Sequence, residues 1–387
     1  MFSTRSAVAR EINAFAAELE RIRALPEKVL DLSESNPTRA GVPYEGGRIL
    51  TALADPRALT YEPEPRGLLS ARQAVAEEWR RLGVSVSEQR ILLTASTSEA
   101  YGFLFKLLCD PGDEVLVPAP SYPLFEHLAG FENVRSVPYA LGFDGGWFID
   151  FERLARARSE RTRAIIVVSP NNPSGHYLRR AELERLAELG LPLISDEVFA
   201  SYALRCPADA ARSALETDRT LVFALSGLSK LAALPQLKAA WIAVGGPESS
   251  VSEALSRLEL IADAYLSVGA PVQLALPELL RARASSEGHI LARLRANLGV
   301  LERSVQNTAI SLLPVEGGWY AVLRLPRTQS EEAWALGLLR EQRVLAQPGY
   351  FYDFADEPFL VLSLLSSEAE FSLGVERLVQ HVQRHCA

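Results

Sequence analysis

Lysine is scarce in this chain. Among 387 residues only Lys28, Lys106, Lys230 and Lys238 carry an ε-amine, and arginine supplies the rest of the positive charge. No run of basic residues offsets the net charge of −8, which argues against a nucleic-acid partner, because such a partner needs a basic face or tail. Cysteine is also sparse. Cys109, Cys206 and Cys386 lie far apart, form no Cys-x-x-Cys pair and cannot build an even-numbered disulfide framework, so a reducing cytoplasm is the expected setting. The five histidines are scattered, and none sits beside a cysteine or an acid at a zinc-ligand spacing, so no metal is expected. Apolar runs stay short of the roughly 20 residues of a membrane-spanning helix. The segment from Ser3 to Ala24 alternates charged and apolar residues, unlike the apolar core of a signal peptide.

What is present is enough chain for two domains, with 48% hydrophobic and 23% charged residues, the usage of an ordinary globular protein. Residues from about 4 to 24 read as an amphipathic helix, followed by Pro26 and an Asn-, Pro- and Gly-rich loop from Ser33 to Gly47. Short apolar runs of strand type then recur at Arg90–Thr94, Glu114–Pro118, Ala164–Ser169, Leu191–Ser195, Leu221–Leu225 and Ala239–Val244. Helical periodicity fills much of the space between them, as in Ser98–Cys109 and Arg180–Leu189. That alternation predicts an α/β domain over residues 46–285, with a mostly parallel sheet covered by helices. After about residue 285 the texture changes to a long helix (His289 to Val305), then strands such as Tyr320–Leu325 and Phe359–Leu365. Residues 286–387, joined by 1–45, read as a smaller, discontinuous α+β domain.

Lys230 ends the segment Leu225-Ser226-Gly227-Leu228-Ser229-Lys230, just after an apolar run. A lysine there can simply extend its stem to solvent. Buried, its amine acquires a lowered pKa, which suits a lysine that bonds a carbonyl covalently. Two further motifs stand at the ends of their own apolar runs. Ser169-Pro170-Asn171-Asn172-Pro173-Ser174-Gly175 is rich in turn formers, and it also lies where ligands bind in open α/β sheets. Asp196-Glu197-Val198-Phe199 opens with an acid that can cap a helix or partner a protonated heterocyclic nitrogen.

In chain order these three motifs resemble the class I/II aminotransferases of pyridoxal-phosphate fold type I, over nearly the whole chain from about Asp31. The resemblance implies pyridoxal phosphate as cofactor and a Schiff base at Lys230, with Ser229 beside it. It implies that Asp196 bonds the pyridine nitrogen, Asn172 the ring hydroxyl, and Tyr122, within Pro118-Ala119-Pro120-Ser121-Tyr122, stacks on the ring. Ser96 and Glu99 read as a capping box. The same helix start would offer Ser96 and Thr97 to the cofactor phosphate, although the family more often has glycine at the Ser96 position. Tyr61 resembles the tyrosine that reaches the phosphate of a neighbouring subunit, which implies a homodimer.

Three departures stand out. Lys238 occupies the place of a phosphate-binding arginine and keeps the charge without the two-pronged fork. Phe199 replaces a frequent tyrosine whose hydroxyl bonds the ring oxygen. Val361, in Phe359-Leu360-Val361-Leu362-Ser363, stands where the family's arginine clamps the substrate α-carboxylate. Arg66 is one replacement for that clamp. The implied reaction moves an amino group from an amino donor to a 2-oxo acid. A β-eliminating lyase would use the same core residues. A cofactor-binding regulator would need an added DNA-binding domain, for which the chain has no spare basic segment. A serine-hydrolase reading fails, because Ser-x-x-Lys would require serine where Gly227 stands.

Overall fold

The computed structural model describes residues 2–6, 13–356 and 358–386. A 3-10 turn covers Thr4–Ser6 and helix α1 spans Ala14–Arg23. The remainder of the helix expected over residues 4 to 24, residues 7–12, lies outside the described residues. Strand β1 (Leu30–Asp31) and helices α2 (Gly46–Leu53) and α3 (Leu69–Arg81) come next. Strands β2 (Ile91–Thr94), β3 (Glu114–Ala119), β4 (Arg135–Phe143), β5 (Trp147–Ile149), β6 (Thr162–Val168), β7 (Leu193–Asp196), β8 (Val222–Gly227) and β9 (Ala240–Gly245) follow. Between them run α4 (Thr97–Leu108), α5 (Phe125–Phe131), α6 (Phe151–Ala157), α7 (Arg180–Glu188) and the single turn α8 (Leu228–Leu231).

Among the described residues β2 to β9 form one eight-stranded sheet in the order β2-β9-β8-β7-β6-β3-β4-β5. Neighbours from β8 to β4 are parallel, while β9 runs antiparallel to both β8 and β2. The reversal at β9 follows from its connection. Residues 228–239 hold only one helical turn and a short 3-10 turn, too little for the crossover that a parallel strand requires. β8 and β9 are buried along their whole length, as a strand covered on both faces must be. On one face Tyr101, Phe103 and Leu104 of α4 pack with Leu255 and Leu258 of α9 (Glu248–Asp263) onto Ile194, Phe223 and Ile242. On the other face Val75 and Trp79 of α3 meet Trp241, Leu276 and Leu279. Each such side chain contributes roughly 1.5–3 kcal/mol of burial.

The last third of the chain holds α10 (Ala270–Val305), β10 (Ser311–Leu312), β11 (Tyr320–Arg324), α11 (Glu331–Gln342), β12 (Val344–Leu345), β13 (Gln347–Pro348), β14 (Phe359–Ser363) and α12 (Glu368–Cys386). A second, antiparallel sheet has the order β10-β11-β14-β13, and β1 pairs with β12 in parallel. The helix expected from His289 starts 19 positions earlier, at Ala270 after Gly269 and with Pro271 in its first turn. Pro277 lies inside it, and the missing N–H there obscures a continuous apolar stripe that runs from Val272 through Leu279 and Leu294 to Val305. Position 285 therefore falls within a helix. α10 packs against α2, α3 and α12, so it touches elements at both ends of the chain.

Candidate active site

The parallel registers bring the sequence motifs to one edge. Val168 at the end of β6 is opposite Asp196 at the end of β7, and Asp196 is opposite Leu225 of β8. Thr94 of β2 aligns with Ala240, which aligns with Gly227, so the start of α4 reaches the same edge. β3 ends at Ala119 and delivers Ser121 and Tyr122 there. Ligands bind at the carboxyl edge of such a sheet because helix starts and loop backbones point their donors outward there.

Gly227 lies where β8 and β9 approach closely: a Cβ on it would sit 2.8 Å from the Ala240 Cβ. The chain then turns through α8 and presents Lys230. The Lys230 Nζ lies 5.0 Å from the centre of the Trp319 ring and 5.7 Å from that of Phe199. Burial lowers the pKa of this amine, and the Asp196 carboxylate partly opposes the shift. The Lys230 carbonyl accepts a hydrogen bond from the Tyr202 hydroxyl at 2.7 Å. Tyr202 thus fixes the backbone and does not replace the hydroxyl that Phe199 lacks.

Asp196 accepts hydrogen bonds from the Tyr101 hydroxyl at 3.1 Å and the Val198 N–H at 3.2 Å. Burial pushes its pKa up to about 6, while those two donors and the Lys230 charge pull against it. Tyr122 is 44% exposed. Its phenol pKa is raised by burial first and by the Asp196 charge second.

Asn171 uses its side chain within the loop, where its Oδ1 accepts from the Ser174 Oγ at 2.9 Å. Asn172 is buried, and its Oδ1 has no partner. Gly175, at φ +74°, lets the loop approach the next wall; a Cβ there would lie 2.9 Å from the Gly317 carbonyl oxygen. That wall continues as Trp319 and Tyr320, both edge-on to Phe199.

At the start of α4 the Ser96 Oγ accepts from the Glu99 N–H at 3.1 Å, and Glu99 accepts from the Ala95 N–H at 2.6 Å. The N–H groups of Thr97 and Ser98 make no hydrogen bond among the described residues. Ser229 lies half-buried in α8 without a hydrogen bond there. Lys238 is exposed, in the left-handed conformation at φ +50°. Tyr61 stands 80% exposed on the loop before Arg66.

Arg66 departs from its expected role. Its guanidinium is engaged by Glu259, with Nε at 2.7 Å, and by the Gln89 carbonyl at 3.1 Å. Val361 is fully buried between Val322 and Gln347. Neither residue presents a free cation to a substrate. Tyr101 and Trp319 are the site residues that sequence reasoning missed. Tyr101 had a signal, since it lies four residues after Thr97 on one helix face. For Trp319 the signal was the glycine pair Gly317-Gly318 ahead of a strand.

Comparison with known proteins decides the family. The sequence profile of aminotransferase class I and II matches residues 27–378. The chain belongs to that family. It is 25% identical over 361 residues to the glutamate-pyruvate aminotransferase AlaA of Haemophilus influenzae, covering 90% of this chain and 89% of the relative. It is 26% identical over 377 residues to an alanine aminotransferase of Mycobacterium bovis, covering 92% and 86%. The alanine aminotransferase of Pyrococcus furiosus shares the fold with a TM-score of 0.88 at 23% identity, over 99% of this chain and all of that one. A Thermus thermophilus aspartate aminotransferase double mutant superposes at 0.83 with 24% identity, over 98% of this chain and 99% of that one. The chain is an aminotransferase dependent on pyridoxal phosphate. Its residues fit that group: a desolvated amine, a buried carboxylate with its own donor, an orphaned Asn172 amide oxygen and uncommitted N–H groups at a helix start meet at one sheet edge. Among the described residues no helix is long and apolar enough to cross a membrane.

Proposed function

We propose that Lys230 bonds the cofactor covalently at rest and serves as the proton-moving base once the substrate amine has displaced it. The observation that carries this is the desolvated Lys230 amine, which lies over the touching rings of Phe199 and Trp319 and feels the Asp196 charge. An amine held below its usual pKa has a larger neutral fraction available to accept a proton near neutral pH. When bound, pyridoxal phosphate supplies the electron sink and the carbonyl that receives the amino group. Asp196 would hold a proton on the pyridine nitrogen, with Tyr101 fixing the carboxylate. Asn172 would meet the ring hydroxyl and Tyr122 would cover the ring. Ser96, Thr97, Ser229, Lys238 and Tyr61, the last from a partner subunit, would hold the phosphate.

We read the active unit as a cytoplasmic homodimer. Support comes from Leu50, Leu59, Tyr61 and Leu260, which are all exposed, and from three free cysteines. We also divide the chain into 46–285 and a second unit of 1–45 with 286–387, since each main sheet lies wholly within one of these segments.

For substrates we propose an α-amino acid donor and a 2-oxo acid acceptor, by analogy with the alanine and glutamate-pyruvate relatives. One observation favours a second reading, an amine donor without an α-carboxylate. Val361, where the carboxylate clamp is expected, is a buried apolar side chain, and Arg66 is engaged by Glu259. The visible spectrum of the loaded enzyme separates the two readings. Conversion to the pyridoxamine form by alanine or glutamate supports the first. Conversion by a diamine alone supports the second, and conversion by neither overturns both of these donor assignments. Lys230→Ala is expected to lose the covalent cofactor band and at least about 100-fold in rate.

A further inference from the structure

The histidines form no metal motif along the chain, but the fold supplies the missing acid from another helix. His381 and His385 lie four residues apart on α12, so they share one face. Glu341, on α11, meets them. One nitrogen from each ring and a carboxylate oxygen all lie within 4.8 Å of one another. The Glu341 carboxylate is 3.4 Å from the His381 Nδ1 and 3.7 Å from the His385 Nε2. Ligands of one tetrahedral metal, bonded at roughly 2.0–2.1 Å, stand about 3.3 Å apart.

His381 is 2% exposed, and neither ring nitrogen has a hydrogen-bond partner. A buried imidazole whose nearest polar neighbour, the Glu341 carboxylate, stands 3.4 Å from Nδ1 outside hydrogen-bond geometry is costly unless something else meets it. Its Nε2 edge lies against α11 at Gly337, where a Cβ would come within 3.0 Å of it. That leaves Nδ1 directed at Glu341. The His385 Nδ1 sits 2.9 Å from the His381 carbonyl oxygen. A carbonyl only accepts, so Nδ1 donates there and Nε2 is the nitrogen left for a metal, as a second contact commonly fixes a metal-binding histidine. Trp334 lies edge-on to both rings and holds them in place. Arg340, one of two cations near the cluster, is engaged with Glu18, and the other, Arg384, lies on α12 itself.

We propose that Glu341, His381 and His385 form a site for a divalent transition metal of the zinc class. Two imidazoles and one carboxylate suit such an ion better than magnesium or calcium, which take oxygen ligands. The cluster opens on a cavity of about 380 Å³, which leaves a fourth position for solvent or an external ligand. The bound ion would tie the last turn of α12 to α11.

The test is titration of the cofactor-loaded enzyme with Co²⁺, read as a difference spectrum, and with Zn²⁺ by calorimetry. One ion per chain, with tetrahedral cobalt bands, is expected. Glu341→Gln and His385→Gln should each bind at least tenfold more weakly while keeping the cofactor spectrum of the parent. Absence of binding, or affinities within twofold of the parent in both variants, overturns the proposal. Loss of binding in Cys386→Ser as complete as in Glu341→Gln also overturns it, because the thiol would then be the anchor.

Discussion

Glu197 sits behind Asp196 with its carboxylate turned into the protein. Its Oε1 accepts from the Ser195 Oγ, the Ser213 Oγ and the Ala214 N–H, while its Oε2 has no partner. Burial outweighs those three donors and pushes the pKa up to about 7 from 4.5. A carboxyl raised on folding contributes stability that is fully present below about 4.5 and is lost as pH rises through about 7. Melting of the enzyme across that window should show a loss on the order of 3 kcal/mol that Glu197→Gln removes. An identical pH slope in the variant would show that Glu197 ionises freely. Next to it, Tyr101→Phe leaves Asp196 without its hydroxyl donor. On the proposed role of Asp196, kcat should fall about tenfold or more with little change in KM, and the pH profile should shift as Asp196 holds its proton to higher pH. At this scale the sequence was most legible where function is local. Asp196 ends its strand, and Lys230 and Asn172 follow theirs within four residues, so each could be read from its flanking residues. Tyr101 and Trp319 arrive from other elements, and only folding brings them to Lys230.

Elements were legible where one pattern governs them and obscure where two compete. Of the capping box readable as Ser96 with Glu99 before α4, the structure contains one half, the Ser96 Oγ accepting from the Glu99 N–H; the Glu99 carboxylate bonds the N–H of Ala95 in place of that of Ser96. Glu99 reaches back to the Ala95 N–H and also accepts from the Ser267 Oγ, tying α4 to the segment ahead of α10. Glu99→Ala removes both contacts and should cost about 1–2 kcal/mol in thermal or denaturant melts. A cost near zero would mean that solvent satisfies the helix start unaided. β4 escaped the sequence reading because Pro138 and Gly142 interrupt it and exposed and buried positions alternate irregularly along it. It forms nonetheless, since β3 lies alongside in full register. β9 was readable as a strand but not in its direction, which depends on the brevity of the chain between β8 and β9.

At the scale of the molecule, the proposed homodimer makes a prediction that no single chain can satisfy. If Tyr61 serves the partner's phosphate site, chains carrying Tyr61→Ala and chains carrying Lys230→Ala are each impaired alone. Dissociated and reassembled together, they should regain activity, because one of the two sites in a mixed dimer is then intact. Activity that stays at the level of the separate variants would refute the shared site. Helix α10 sets a further condition on the whole. It is 36 residues long, or about 54 Å at 1.5 Å per residue. Pro277 leaves about 28 residues of rod beyond it, some 42 Å. A bend of about 5° at that proline would sweep the far end, beneath the second sheet, through nearly 4 Å. A motion of that size would be felt where α10 meets α12 and β10.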